Sequence, residues 1–362
     1  MSLLTTGASA GTDGAVAGAA AVRFAGWGTG LPERRVTNHD LAGYLDTSDE
    51  WIVDRSGIRE RRWAAEGEST LPLALRAARQ ALAAAGVDPA DLDVVVVATT
   101  TPEMPVPSTA SQVAAALGTT AGAFDLNAAC AGFVYALTVA SGMMTAGAAR
   151  TALVIGADTM TSIVDAHDRA TAVLFGDGAG AVVLTGAAAA TPPAAGTPGL
   201  VAADLVCDPG GVDLLVVPAG GSARPASAAT VAAGEHHLRM DGREVFRRAV
   251  RAVEASIGRT LARAGCTPED IALFVPHQAN ARMVDAVLAR TGFAAERTVS
   301  IIDRFGNTSA ASIPLALSEA ATAGTVADGD LMLICGFGAG LTVGTALWRW
   351  GAPDPPTQDP AT

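Results

Sequence analysis

The residues most able to do covalent chemistry begin with a single cysteine. Cys130 lies in "DLNAACAGF" (125–133), among small residues and with no second cysteine nearby. The strand-like "GAFDLNAA" runs straight into the helix-like "CAGFVYAL", so the thiol falls at a strand-to-helix junction. Unpaired N–H groups and the positive end of the helix dipole favour a thiolate there, and predict a pKa below the free value of about 8.5. Ala128, Ala129, Ala131 and Gly132 leave room for an acyl group. The competing reading is a buried structural cysteine.

Two further side chains could serve that thiol. His277, in "LFVPHQAN", follows a buried strand and is a candidate base or hydrogen-bond donor; a satisfied core histidine is the plainer alternative. Asn307, in "DRFGNTSAAS", precedes a predicted helix and could be no more than a turn residue. The loop "GFGAG" (336–340) follows the strand "LMLIC" and could aim a backbone N–H at an oxyanion. No G-K-[ST] follows it, which argues against a phosphate loop. The run "DGREVFRRAVRAVEASIGRTLARAG" predicts a long amphipathic helix with Arg243, Arg247 and Arg251 four apart on one face and Arg248 beside them. It is either a solvated face or a docking ridge for an acidic partner or phosphates.

The elements that must position these groups alternate. "LPLALRAARQALAAAG" predicts a helix ending on Gly86, "LDVVVVATT" a buried strand, then helix, strand, helix and strand through "TALVIGAD". This alternation predicts an α/β fold with a mainly parallel sheet. The chain also repeats itself. Residues 81–100 match 260–279 at an offset of 179, with Gly86 on Gly265 and Pro89 on Pro268. That offset sets "TALVIGA" on "DLMLICG" and Cys130 on Ser309. "GDGAGAVVL" (176–184) resembles "GFGAGLTVG" (336–344) at an offset of 160, implying about 19 extra residues in the first half between 157 and 176. Two similar halves, 21–185 and 235–350, are expected to meet at a joint that Cys130, His277 and Asn307 all face. The Ala/Pro/Gly/Ser-rich 186–234 reads as linking loops, and 1–20 and 351–362 as disordered tails.

Composition narrows the function. With 362 residues, half of them hydrophobic, the chain can bury a large core. A net charge of −12 argues against nucleic-acid binding. The cysteines 130, 207, 266 and 335 have no metal-binding spacing, and a reducing, cytoplasmic setting is expected. No apolar run reaches the roughly 18 residues of a membrane span, and the first 20 residues lack the basic start of a secretory signal.

Taken together, "DTSDEWIVDRSGIRERR", "AACAGFVYAL", "DRATAVLFGDGAGAVVL", "VPHQANARM", "DRFGNTSAAS" and "GFGAGLTVGTALWRW" resemble the β-ketoacyl-acyl-carrier-protein synthase III family of condensing enzymes, from about residue 22 to 350. The resemblance implies a thiolase-like fold, a layered α-β-α-β-α core of two duplicated halves. It implies a Cys130, His277, Asn307 triad and an oxyanion hole of the Cys130 and Ala339 N–H groups. An acyl-CoA would acylate Cys130, and malonyl-acyl-carrier protein would condense with it to start a fatty-acid or polyketide chain. Coenzyme A would lie against Trp51, Arg55, Arg169, Phe246, Ala279 and Asn280. The carrier protein would dock on Arg243, Arg247, Arg248, Arg251 and Arg282. Val106, Phe133, Leu174 and Phe175 would shape the acyl pocket, Val106 reaching into the partner of a homodimer. No metal or permanently bound cofactor is implied. Three departures stand out: Ala339 replaces a common glycine, Val106 a phenylalanine and Arg243 a small amide residue. An acyltransferase of the same fold, moving the acyl group to a hydroxyl, amine or carrier without condensation, is the alternative. A cysteine hydrolase and a non-catalytic binding module are more distant ones.

Overall fold

The computed structural model describes residues 21–186 and 196–351. The tails expected at either end fall outside these residues, apart from Gly351. The first half runs β1 (Val22–Gly30), β2 (Arg35–Thr37), α1 (Asn38–Ala42), α2 (Asp49–Ser56), β3 (Glu60–Arg62), α3 (Thr70–Ala85), β4 (Val94–Ala98), α4 (Thr109–Leu117), β5 (Gly122–Leu126), α5 (Gly132–Thr145), β6 (Thr151–Thr159), α6 (Arg169–Ala172) and β7 (Asp177–Gly186). The second runs β8 (Gly199–Cys207), β9 (Leu215–Val216), α7 (Ala228–Ala232), β10 (Arg239–Met240), α8 (Gly242–Ala264), β11 (Leu273–Pro276), α9 (Ala281–Thr291), α10 (Ile302–Phe305), α11 (Ser312–Thr322), β12 (Leu331–Gly338) and β13 (Thr342–Arg349).

Two sheets carry the core, in the orders β1-β7-β6-β4-β5 and β11-β12-β13-β8. β4 runs parallel to β5 and β6, and β11 parallel to β12, while β6–β7, β7–β1, β12–β13 and β13–β8 are antiparallel. The expectation of a mainly parallel sheet is thus corrected to a mixed one. The reason is the short link of residues 339–341 between β12 and β13, which allows only a reversal, since a parallel return needs a long crossover. The segment 186–234 is also more than loops. It contains β8, where Asp204 accepts from Ser256 Oγ at 2.8 Å and pairs with Arg259 at 2.8 Å, bolting the strand to α8.

Helices fill three layers. α5 and α11 lie between the sheets, against Val94, Val96 and Val154 on one side and Met332 and Ile334 on the other. α3 covers the outer face of the first sheet, and α8 and α9 that of the second. Strands β4 and β12 are buried on both faces, which is why they read as unbroken apolar runs. The layers sit close because small residues face each other. A Cβ on Gly28 would lie 2.4 Å from the Ala77 carbonyl oxygen of α3, and one on Gly156 would lie 2.2 Å from that of Ala310.

The duplication is real in structure, with its register changed at the site. The offset of 179 holds at the helix ends Gly86 and Gly265, both left-handed. It becomes 180 at β6 and β12, where Ala152 pairs with Val94 as Met332 pairs with Leu273. The 3-10 turns Ala129–Ala131 and Ser309–Ala311 also correspond at 180. Ser309 is therefore the counterpart of Ala129, not of Cys130. The two glycine runs are not equivalent either: Gly336–Gly338 close β12, while Asp177–Gly186 is wholly β7. The extra residues of the first half are 160–176, between β6 and β7.

The close approach at Gly156 yields a test. Gly156→Ala is expected to destabilise the fold by about 1–3 kcal/mol or more, since backbone rather than a flexible side chain must give way. Gly258→Ala, inside α8 with open space around it, is expected to stabilise by roughly 0.5–1 kcal/mol. Urea unfolding of both checks the contrast; equal effects would contradict the packing described.

Candidate active site

Cys130 lies in the buried 3-10 turn Ala129–Ala131 that leads into α5. The turn packs against the end of β12, where a Cβ on Gly338 would sit 2.5 Å from the Cys130 nitrogen. Glycine at 338 thus lets the strand backbone reach the thiol-bearing residue. Thr342 ties the same two segments, donating through Oγ1 to the carbonyls of Ala128 at 2.9 Å and Ala339 at 3.1 Å. Ala339 is therefore fixed beside the cysteine turn.

The opposing turn, 307–312, touches both other groups. The Cys130 thiol donates to Ser309 Oγ at 3.3 Å. Ser309 N–H donates to Asn307 Oδ1 at 2.9 Å, which fixes the amide and leaves the Nδ2 hydrogens as its donors. The Asn307 backbone pairs with the insertion, its N–H donating to Leu174 O at 2.8 Å and its carbonyl accepting from Gly176 N–H at 3.0 Å. Leu174 and Phe175 are thereby brought to the site, while Phe133 is fully buried three residues beyond Cys130.

His277, just past β11, has Nδ1 2.6 Å from Ser312 Oγ. Ser312 Oγ also accepts from Gln278 N–H at 3.4 Å, which leaves the hydroxyl its own hydrogen and one lone pair to face Nδ1. Burial pushes the imidazole down to about 3, so it is neutral. Burial likewise pushes the Cys130 thiol up to about 12, with the Ser309 bond pulling the other way. The expectation of a lowered cysteine pKa is corrected: desolvation of a thiolate outweighs the short turn's N–H groups.

Behind the turn stands Asp158, fully buried. Its Oδ1 accepts from Thr99 Oγ1 at 3.0 Å, Thr100 N–H at 2.7 Å and Thr101 N–H at 3.1 Å, among others. Its Oδ2 accepts from Ala310 N–H at 3.0 Å, joining the first half to the turn of the second. Neither Asp158 nor the serines Ser309 and Ser312 were singled out as site residues from sequence. The polar letters of "GNTSAAS" ahead of an apolar helix were the available signal.

The remaining expected residues are spread over the surface around this centre. The Arg169 guanidinium carbon lies 5.0 Å from the Trp51 ring centre, and its Nη1–H donates to Asp46 O at 2.7 Å; the guanidinium carbon of Arg55 lies 5.9 Å from the same ring. Asn280 caps α9 through Arg282 N–H and donates to Arg55 O at 2.9 Å, joining α2 to α9. Ala279 is buried and Phe246 half-buried. The arginine ridge is weaker than its sequence implies. Arg247 and Arg248 both bond Glu244, and Arg248 also Asp208. Arg243, Arg251 and Arg282 are exposed and make no ion pair among the described residues. Val106 is 83% exposed. Among the described residues no group of three or more His, Cys, Asp or Glu could hold a metal ion, and no helix is long and apolar enough to cross a membrane.

The neutral imidazole carries a pH signature. Its folded pKa lies below the usual 6.5, so the unfolded chain binds the extra proton. Stability is complete above about pH 6.5 and falls toward pH 3, by about 1.4 kcal/mol per unit. Urea unfolding between pH 6 and 4 is expected to show a shallower slope for His277→Gln than for the wild type; identical slopes would contradict a buried neutral histidine.

Comparison with known proteins gives the family. The family model for 3-oxoacyl-[acyl-carrier-protein] synthase III matches residues 124–197, and that for its C-terminal part matches 261–350. The β-ketoacyl-[acyl-carrier-protein] synthase III of Symbiobacterium thermophilum is 49% identical over 331 residues, covering 91% of this chain and 98% of the relative. That of Rhodobacter capsulatus is 48% identical over 326 residues, covering 90% and 98%. The crystal structure of the Aquifex aeolicus synthase III superposes with a TM-score of 0.82 at 41% identity, covering 91% of this chain and 100% of that one. A priming β-ketosynthase from a polyketide biosynthetic pathway gives 0.83 at 37%, covering 92% and 97%. A cysteine turn and an asparagine-serine turn meeting between two duplicated halves, in a chain this similar throughout, place the protein in the 3-oxoacyl-[acyl-carrier-protein] synthase III family.

Proposed function

We infer that the chain catalyses a decarboxylative Claisen condensation between an acyl-CoA primer and malonyl-acyl-carrier protein, starting fatty-acid or polyketide chains. The observation that carries this reading is the orientation of two donors. His277 Nδ1 and Asn307 Oδ1 are both already engaged, by Ser312 and by Ser309 N–H. With Nδ1 accepting from the Ser312 hydroxyl, the tautomer this reading requires, Nε2–H and Nδ2–H are the groups available to a substrate. Two neutral donors suit an oxygen that gains charge during reaction, as the thioester oxygen of an enolate does. A general base for hydrolysis would instead need a free acceptor nitrogen, and a pKa closer to neutrality than His277 has.

In the first step Cys130 sulfur attacks the primer carbonyl, its oxyanion held by the Cys130 and Ala339 N–H groups. The carbon–sulfur bond to coenzyme A breaks, and the thiol proton ends on the departing sulfur. In the second, the malonyl carboxylate leaves as CO2. The enolate, held by His277 and Asn307, attacks the acyl-enzyme; the Cys130 carbon–sulfur bond breaks, and the sulfur takes one proton from solvent, the one consumed overall. Coenzyme A would run past Arg55, Phe246, Ala279 and Asn280 with its adenine at Trp51 and Arg169. The carrier protein, acidic by this reading, would meet Arg243, Arg251 and Arg282, with Arg247 and Arg248 contributing less. The exposed Val106 fits a homodimer in which it borders the partner's acyl pocket, together with that copy's Phe133, Leu174 and Phe175. The cytoplasm suits such a reaction and four unpaired cysteines.

Two measurements test this. Intact mass after acyl-CoA treatment is expected to show one acyl group on the wild type and none on Cys130→Ala. His277→Ala and Asn307→Ala are expected to keep the adduct while losing CO2 release from malonyl-carrier protein by about 10²–10³-fold, the usual cost of one such donor. Acyl transfer to an acceptor without CO2 would contradict condensation. With valine at 106, butyryl- and isobutyryl-CoA are expected to prime as well as acetyl-CoA; a strict acetyl preference in a primer panel would contradict that pocket assignment.

A further inference from the structure

Among the described residues two non-glycine residues hold a left-handed backbone, Ala129 at φ 47° and Ser309 at φ 52°. They are the equivalent positions of the two site turns, and they flank the Cys130 thiol from opposite halves. Such conformations carry strain that glycine would not, and an outlier of this kind is a pointer to function. At 309 the strain is held by two bonds. Asn307 Oδ1 takes the Ser309 N–H and Asp158 Oδ2 takes the Ala310 N–H. The result is a buried hydroxyl 3.3 Å from the sulfur, with no other bond to Ser309 Oγ among the described residues.

We propose that Ser309 is a further catalytic group for the acylation of Cys130, its hydroxyl reversing a hydrogen bond to donate to the sulfur as negative charge forms there. The proposal rests on the condensing-enzyme reading only for the identity of the acyl donor. In the resting site the thiol donates and the hydroxyl accepts. A serine hydroxyl holds one hydrogen and two lone pairs, so a rotation about its C–O bond turns the same contact into O–H···S⁻. Ser309 keeps its own proton throughout. The proton lost by the sulfur is the one that ends on the departing thiol of the acyl donor, so no further acceptor is needed.

The surroundings leave this task to a hydroxyl. Asp158 on β6 is the charged group that acts on the thiol, and it opposes the thiolate. His277, after β11, is neutral and supplies no cationic partner. On the cysteine's own turn the backbone N–H is the remaining donor toward the sulfur. Burial without a charge partner makes hydrogen-bond donors the means by which a thiolate is stabilised.

The test is the pH dependence of Cys130 alkylation by iodoacetamide, followed by intact mass on the full chain. Ser309→Gly is the informative variant, because glycine accepts φ 52° and removes only the hydroxyl; Ser309→Ala is its companion. Both are expected to slow labelling about tenfold across pH 6 to 9, since one pKa unit is tenfold in thiolate fraction. A wild-type rate in Ser309→Gly overturns the proposal, and so does a fall confined to Ser309→Ala, which is what backbone strain at φ 52° alone would give. If acyl-CoA leaves no adduct on the wild type, the condensing-enzyme reading fails, while the alkylation profiles still decide the role of Ser309.

Discussion

The turn from Asn307 to Ser312 is the constraint on which the site depends. One end fixes an amide and holds a hydroxyl on the thiol; the other sets a hydroxyl against the imidazole. Between them, Ala310 N–H is taken by the buried carboxylate of the opposite half. A carboxylate in a dry interior is costly unless its lone pairs are filled. Asp158 meets that condition with donors from Thr99, Thr100 and Thr101 as well as Ala310. The chemistry therefore sits on the seam between two duplicated halves, and the seam is tied at the same atoms that orient the reacting groups.

Dryness sets the character of that chemistry. Burial drives thiol and imidazole toward their neutral forms, one up to about 12 and the other down to about 3. A thiolate–imidazolium pair, the resting state of many cysteine hydrolases, is disfavoured on both sides. What survives is a neutral thiol and a neutral imidazole, each hydrogen-bonded to a serine of the 307–312 turn. Such an arrangement suits charge that appears transiently on a substrate oxygen, and it withholds an activated nucleophile from water between turnovers.

The repeat, the long helices and the buried strands were legible in the sequence, because glycine stops, valine runs and a shared offset show in the letters alone. The insertion between β6 and β7 was legible as extra length. Strand direction was not, since β12 and β13 are joined by three residues whose reversal is a matter of backbone path. Nor was β8, whose alternating pattern lies between alanine- and proline-rich stretches and is fixed by Asp204 reaching α8. At the site, Cys130, His277 and Asn307 stood out by type and position. Ser309 was noticed only as a repeat partner, one residue out of register, because a single extra residue in the second half cannot be seen without the turn geometry. The cysteine's acidity was misread for a related reason: the helix terminus is visible in sequence, whereas the degree of burial is a property of both halves together. The partners of Arg247 and Arg248 were not legible, because Glu244 and Asp208 come from the helix's own first turn and from a distant loop.

The most direct test of this account is the protonation state of His277, read by nitrogen-15 NMR of histidine-labelled protein against a His277→Gln control. A neutral ring with its hydrogen on Nε2 from pH 8 down to pH 5 is the predicted result. An imidazolium at pH 6, or a hydrogen resident on Nδ1, would contradict a site built from two neutral donors.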